Sequence, residues 1–478
     1  MSSTNSTIIK SFVWKLLERC SVQVVSFVVT IILARLLLPE EYGIIALITI
    51  FIALAEVIAD GGFNTALIQK KNADNTDFST IFFFSLFVSV LLYVVLYISA
   101  PYIAKFYGMA DLVKVIRILS TSLFLYSFNS VQRAYISKYM LFKKLFYSSL
   151  GAILLSGCIG IVMAYAGFGV WSLVTQTLLN QLFTILIMWF TVKWRPNFIF
   201  SRTSFKELFD FGWKIFCTNF IITLFIRVRA LVVGKIFSPS TLAYYEKGDQ
   251  FPGLIMNNVC GSIQSVIFPA FSEVQDDRTR VRAMMRKAIN ASCLVMFPLM
   301  IGLMVSAKPL VVLLLTEKWI EVVPFMQVLC IANFFRPITI PNQQAITALG
   351  YSGITLKLEI IKKVVDISIL AVSCYFGAIA IAWGVVIFNF LCIFINLFPN
   401  IKLLDYKLQE QIIDVIPILL ISLLMGGSVY WVQYMQWTPF VQLVVIFLIG
   451  TSVYCALCRV MKIESYMYFM NIIKQKRL

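Results

Sequence analysis

Long apolar runs recur from one end of this 478-residue sequence to the other, and no stretch between them is long enough to fold by itself. Residues 22–38, 44–57, 81–100, 153–166 and 415–432 are each long enough, or nearly so, for a helix to cross a hydrocarbon core about 30 Å thick. With 60% hydrophobic and 13% charged residues and a mean hydropathy of +0.88, the chain carries more apolar surface than a water-soluble domain can hide. The expectation is an all-α integral membrane protein with about fourteen transmembrane helices. Their expected limits are 12–37, 42–67, 79–104, 111–136, 146–166, 169–192, 208–236, 241–271, 283–307, 320–348, 354–376, 378–400, 411–433 and 438–461.

The net charge of +17 is topology information, because the basic residues punctuate the gaps between apolar runs instead of clustering with aromatics, so no nucleic-acid partner is expected. With the N-terminus inside, the cytoplasmic loops carry Lys70, Lys71, Lys138, Lys143, Lys144, Lys193, Arg195, Arg202, Lys206, Arg278, Arg280, Arg282, Arg286, Lys287, Lys402 and Lys407. The tail adds Arg459, Lys462, Lys474, Lys476 and Arg477, whereas the opposite loops hold only Lys105, Lys235, Lys308 and Lys318. By the positive-inside rule both termini are expected in the cytoplasm. Residues 1–11 are polar and no small-residue cleavage site follows the first run, so no cleaved signal peptide is expected.

The connections expected on the outer side, at 39–42, 106–111, 167–169, 238–241, 316–319, 377 and 434–438, leave no room for an external catalytic domain. Histidine is absent, which removes the commonest catalytic base and metal ligand. The ten cysteines are scattered, and the one close pair, Cys455 and Cys458, has no second pair to complete a metal site. No metal, cofactor or enzymatic activity is expected.

An internal repeat organises the chain. Phe12-Val13-Trp14-Lys15 returns as Phe211-Gly212-Trp213-Lys214, and Pro39-Glu40-Glu41-Tyr42-Gly43 is answered by the segment from Pro239 to Tyr245. Ala100-Pro101 matches Ala307-Lys308-Pro309, and Gly167-Phe168-Gly169-Val170-Trp171 matches the segment from Gly377 to Trp383. Ordered landmarks with a slowly growing offset argue for a duplicated six-helix unit. Six is even, so the two bundles run parallel, an arrangement found in transporters whose lobes rock about a central site. The expected division is 1–200 and 201–405 for the two lobes, with 406–478 supplying two additional, peripheral helices and a basic tail.

Ionisable side chains inside spans are costly and mark candidate sites. Arg19 and Asp60 fall about 10 Å deep by residue count, so an Arg19–Asp60 ion pair is one expectation. Glu56 and Asp60, four apart on one helix face, suit either a proton or Na+ coupling site or a structural role. Arg336 lies mid-helix within Asn333-Phe334-Phe335-Arg336-Pro337-Ile338-Thr339-Ile340-Pro341, where two prolines interrupt the backbone ladder. Arg227, Arg229 and Arg117 are candidates for the same space, although Arg227 and Arg229 are two apart and cannot share a face. Guanidinium groups bind oxyanions bidentately and stay charged, which points to an anionic substrate such as a diphosphate. Lys357, Lys362 and Lys363, alternating with Glu359 and Asp366, read as a solvated helix end, and the basic residues from Arg278 to Lys287 as headgroup anchors.

Several motifs then carry a resemblance. The segments from Ala34 to Gly43 (ARLLLPEEYG), from Asp60 to Gln69 (DGGFNTALIQ), from Gly167 to Leu173 (GFGVWSL) and from Phe268 to Ser272 (FPAFS) resemble the Wzx-type polysaccharide-repeat flippases. The likeness is to the colanic and teichuronic acid exporter branch of the multidrug/oligosaccharidyl-lipid/polysaccharide superfamily, and it runs over nearly the whole chain. The resemblance implies a V-shaped pair of bundles in the bacterial inner membrane that flips an undecaprenyl-diphosphate-linked oligosaccharide, with a polymerase and glycosyltransferases as partners. It also implies that Arg19, Arg336 and Arg227 hold the diphosphate. One departure is Leu242-Ala243-Tyr244-Tyr245, where relatives show Gly before Tyr. The rival within transport is a cation-coupled multidrug antiporter using Glu56 and Asp60, which the surplus of intramembrane arginine opposes. A membrane polymerase or ligase would need a large external loop, and a glycosyltransferase an Asp-x-Asp site; the sequence has neither.

Overall fold

The computed structural model describes residues 2–475, so Met1, Lys476, Arg477 and Leu478, together with the side chain of Lys474, lie outside the described residues. The chain divides into two compact units, Met1–Ala243 and Tyr244–Leu478. The first holds α1 (Ser2–Leu36), α2 (Pro39–Asp60), α3 (Phe63–Gln69), α4 (Asn75–Tyr107), α5 (Leu112–Leu119), α6 (Ser122–Lys138), α7 (Phe142–Tyr165), α8 (Val170–Thr191) and α9 (Arg202–Ile236). Helix α10 (Pro239–Glu273) runs across the boundary. The second unit continues with α11 (Arg278–Val305), α12 (Ala307–Leu315), α13 (Val322–Asn333), α14 (Arg336–Ala348) and α15 (Ser352–Ser373). It ends with α16 (Ala378–Leu404), α17 (Leu408–Tyr430), α18 (Pro439–Val460) and α19 (Glu464–Gln475).

Among the described residues, thirteen helical segments are long and apolar enough to cross a membrane. Helix α15, the eleventh of the expected spans, is not one of them, since it carries Lys357, Glu359, Lys362, Lys363 and Asp366.

Two expected connections are shorter than the sequence suggested. Pro39 and Pro239 are the first residues of α2 and α10, not loop residues, because proline at a helix start has its φ preset and loses no backbone bond. The Leu38 N–H, ahead of α2, donates to Glu41 Oε2 at 2.7 Å.

Three expected spans are broken in the middle. The 320–348 span parts at Phe334–Phe335, as its prolines suggested, but 42–67 parts at Gly61–Gly62 and 111–136 at Ser120–Thr121. Gly61 and Gly62 have φ of +55° and +73°, and a Cβ on Gly62 would stand 2.2 Å from the Gly212 carbonyl oxygen of α9. Only glycine combines that backbone conformation with that approach. Lys138, at the end of α6, then caps the C-terminus of α3, donating to the carbonyls of Leu67 at 3.0 Å and of Lys70.

Aromatic and aliphatic side chains fill each unit. In the first, Phe63, Phe78, Phe82, Val131 and Trp194 bury together, and Lys70 joins Asp77 at 3.0 Å and Glu207 at 2.8 Å, tying the ends of α3, α4 and α9. In the second, Met285, Ile289 and Phe297 of α11 pack with Val415 and Ile418 of α17. Helix α17 thus buries one face against α11, while Ile413, Leu420 and Leu424 on its other face stay exposed. Arg282 Nη2 donates to both Glu410 oxygens at 2.7 and 2.8 Å, and Arg286 Nη2 to Asp414 Oδ1 at 2.5 Å. These two arginines are committed to α17 instead of serving only as headgroup anchors, because the apolar seam between α11 and α17 brings their partners into reach.

Candidate substrate and ion sites

In the first unit the acids of α2 face three other helices. Glu56 lies within the fields of Arg133 on α6 and Arg227 on α9, with the Gln181 side chain of α8 as its hydrogen-bonding neighbour. Neither guanidinium closes on it as a salt bridge among the described residues. Asp60, one turn on, is met by Asn64 Nδ2 and the Gly62 N–H. Asn64 Nδ2 also donates to Ser130 Oγ at 2.9 Å, and Tyr126 stands in the fields of Glu56, Asp60 and Arg133. Asn64, on α3, reaches back four residues across the Gly61–Gly62 break to the acid that ends α2.

The expected Arg19–Asp60 ion pair does not form. Helix α1 packs along α7, where Trp14 sits 5.5 Å from the Phe146 ring and 6.1 Å from that of Tyr147, and Arg19 is exposed. Arg117 is also drawn elsewhere, its guanidinium 4.2 Å over the Tyr97 ring and its Nε donating to the Tyr97 carbonyl at 3.5 Å. Arg227 and Arg229 are both half-buried on α9; of the two, Arg227 is the one whose field acts on Glu56.

In the second unit Arg336 is the first residue of α14, beyond the break that ends α13 at Asn333. It is half-buried, and its Nε is buried with no hydrogen-bond partner. Interrupted helices leave carbonyls that must find donors. Helix α16 ties itself to both sides of the break through asparagines: Asn389 Nδ2 donates to the Ala332 carbonyl at 2.9 Å, Asn396 to Thr339 at 3.3 Å and Asn400 to Asn342 at 2.9 Å. Asn342 in turn donates to Gln411 Oε1 of α17 at 3.1 Å. The spacing 389, 396, 400 marks one face of a helix, a signal legible in the sequence and missed there. Lys362 departs from the expected solvated helix end: it is buried and bonded to Glu359 Oε1 at 2.9 Å, since α15 turns this face onto α14.

The polysaccharide biosynthesis protein family matches residues 32–324, more than half of the sequence. The chain belongs to that family. It is 26% identical over 358 residues to the teichuronic acid biosynthesis protein TuaB of Bacillus subtilis (strain 168), covering 73% of each chain. It is 24% identical to the lipopolysaccharide biosynthesis protein WzxC of Escherichia coli (strain K12), over 78% of this chain and 76% of that one. It is 23% identical to the succinoglycan biosynthesis transport protein ExoT of Rhizobium meliloti (strain 1021), over 68% and 66%.

Among solved structures, the lipid II flippase MurJ in an inward closed conformation superposes with a TM-score of 0.73 at 16% identity, over 97% of this chain and 100% of that one. An inward-facing multidrug resistance MATE family transporter of the MOP superfamily gives a TM-score of 0.59 at 15% identity, over 81% and 96%. This member of the polysaccharide biosynthesis family is thus a multi-pass, all-helical membrane protein with the fold of that superfamily. Arg133, Tyr126 and Gln181 of its acid cluster escaped the sequence reading because Glu56 and Asp60 are remote from them in the chain, whereas Asn64, four residues from Asp60, was within reach of it.

Proposed function

We propose that this protein flips an undecaprenyl-diphosphate-linked oligosaccharide repeat unit from the cytoplasmic to the periplasmic leaflet of a bacterial inner membrane, by alternating access, for cell-surface polysaccharide synthesis such as exopolysaccharide, O-antigen or capsule. Family membership supports the pathway, and the names of ExoT, a transport protein, and MurJ, a lipid II flippase, support the reaction class. The observation that carries the substrate chemistry is Arg336: a permanently charged, forked donor at a helix break, with one buried N–H unused. The positive end of α14 adds to the attraction for an anion. Binding and releasing a lipid-linked diphosphate needs no covalent step, so the reading is of a transporter and not an enzyme.

The orientation that goes with this reading has both termini cytoplasmic, from the lysine and arginine asymmetry of the loops. Glu56 and Asp60 share a face with neutral donors and leave both nearby arginines outside salt-bridge distance, an arrangement open to a proton or Na+ as well as to a structural role. A polymerase and glycosyltransferases act after and before it. The test compares Arg336→Ala and Arg336→Lys at matched expression in cells that depend on this protein for export. Alanine is expected to trap lipid-linked repeat units on the cytoplasmic leaflet, while lysine, which keeps the charge but loses the fork, retains partial export. Export by Arg336→Ala at the parental rate would show that the arginine is structural.

A further inference from the structure

Lys362 is only 7% exposed, and a cation so enclosed needs an anion beside it. Its ammonium donates to Glu359 Oε1 at 2.9 Å and to Gln343 Oε1 at 3.4 Å, while Gln343 Nε2 donates to the same Glu359 oxygen at 3.0 Å. The two charged partners are unequally placed: the Glu359 side chain is 40% exposed and that of Lys362 8%. Glu359 therefore closes the site from its open side, and rotating its side chain outward rehydrates the carboxylate and uncovers the lysine. Gln343 is seven residues beyond Arg336, two turns along one face of α14 and about 10 Å away. Cys392 of α16 lies within the fields of both Lys362 and Arg336, so both cations act on the same stretch of α16.

We infer that Lys362 with Gln343, and then Arg336, form two successive oxyanion stations in the second unit, and that the Glu359 carboxylate occupies the first in place of a substrate phosphate. The inference rests on the diphosphate-carrier reading above and extends it to residues which that reading left out. Lys362 stands about 15 Å along α15 from Ser352, and in the proposed orientation its station lies on the cytoplasmic side of Arg336. An arriving diphosphate displaces Glu359 and takes over the Lys362 ammonium. Gln343 Nε2, released from Glu359, donates to a phosphate oxygen. No bond is made or broken. The internal carboxylate keeps the buried lysine neutralised between transport cycles and sets a threshold that a neutral or singly charged lipid does not pass.

The test uses the full chain in lipid nanodiscs, titrated separately with a prenyl diphosphate and with inorganic pyrophosphate. Glu359→Gln is expected to tighten prenyl diphosphate binding about tenfold, because the competing charge is gone, and Lys362→Met to weaken it about tenfold. Lys362→Arg keeps a cation and controls for folding, with most of the affinity expected to remain. Inorganic pyrophosphate is expected to bind more weakly than the lipid form, and equal affinity would overturn the assignment to a lipid headgroup. If the parent binds prenyl diphosphate but Glu359→Gln and Lys362→Met bind it equally well, the first station is wrong while the carrier reading stands. If no variant, nor the parent, binds prenyl diphosphate, the carrier reading itself fails.

Discussion

Replacing Gly62 by alanine separates two costs that usually arrive together. The residue has φ of +73°, and an added methyl would meet the Gly212 oxygen at 2.2 Å and the Phe216 nitrogen at 2.9 Å, both backbone atoms of α9. A left-handed backbone costs an L-residue about 1–2 kcal/mol, and overpacking a close interface about 1–3 kcal/mol more. The sum is about 2–5 kcal/mol, with the steric part the larger share because backbone cannot rotate away. Gly108 provides the matched control: its φ is also +73°, yet nothing lies within 4 Å of a Cβ there. Gly108→Ala should therefore show the conformational cost alone. The assay is thermal loss of the monodisperse peak of the purified, detergent-solubilised protein, with surviving Gly62→Ala protein then tested for polysaccharide export. Gly62→Ala should lower the midpoint well below that of Gly108→Ala. Equal midpoints would refute the close packing of α9 on the α2–α3 break.

Three further outcomes are expected. Arg286→Ala should destabilise by about 1–3 kcal/mol, since the Asp414 side chain is 4% exposed and keeps only the Tyr406 hydroxyl; Arg282→Ala should cost under about 1 kcal/mol because Glu410 is 42% exposed and rehydrates. The same thermal assay ranks them, and the reverse order would count against the role of the buried Asp414 carboxylate. Glu56→Gln and Asp60→Asn should each reduce export only partly, whereas complete loss in each folded single mutant, with the loss of a proton or Na+ dependence, would favour the antiporter reading. A reporter fused after Leu478 should report the cytoplasm, and an external signal would contradict an even number of spans with both ends inside.

The membrane character, the helix positions and the superfamily were legible in the sequence because they depend on local quantities: the length of apolar runs, the sign of loop charge and short motifs such as Asp60-Gly61-Gly62-Phe63-Asn64. The break beside Arg336 was legible too, since the prolines Pro337 and Pro341 that follow it interrupt the backbone ladder without any partner being known. What tertiary structure decided were relations between residues far apart in the chain. Periodicity could not show that Gly62 must be bare because Gly212 of α9 arrives there, or that α1 would pack along α7 and leave Arg19 exposed, away from Asp60. Nor could it show that Lys362 is buried while Lys357, on the same helix, is exposed. A helix in a bilayer presents apolar side chains to lipid and to neighbouring helices alike, so hydropathy loses the distinction between its faces. Packing restores it, and with it the choice of which buried charges are paired.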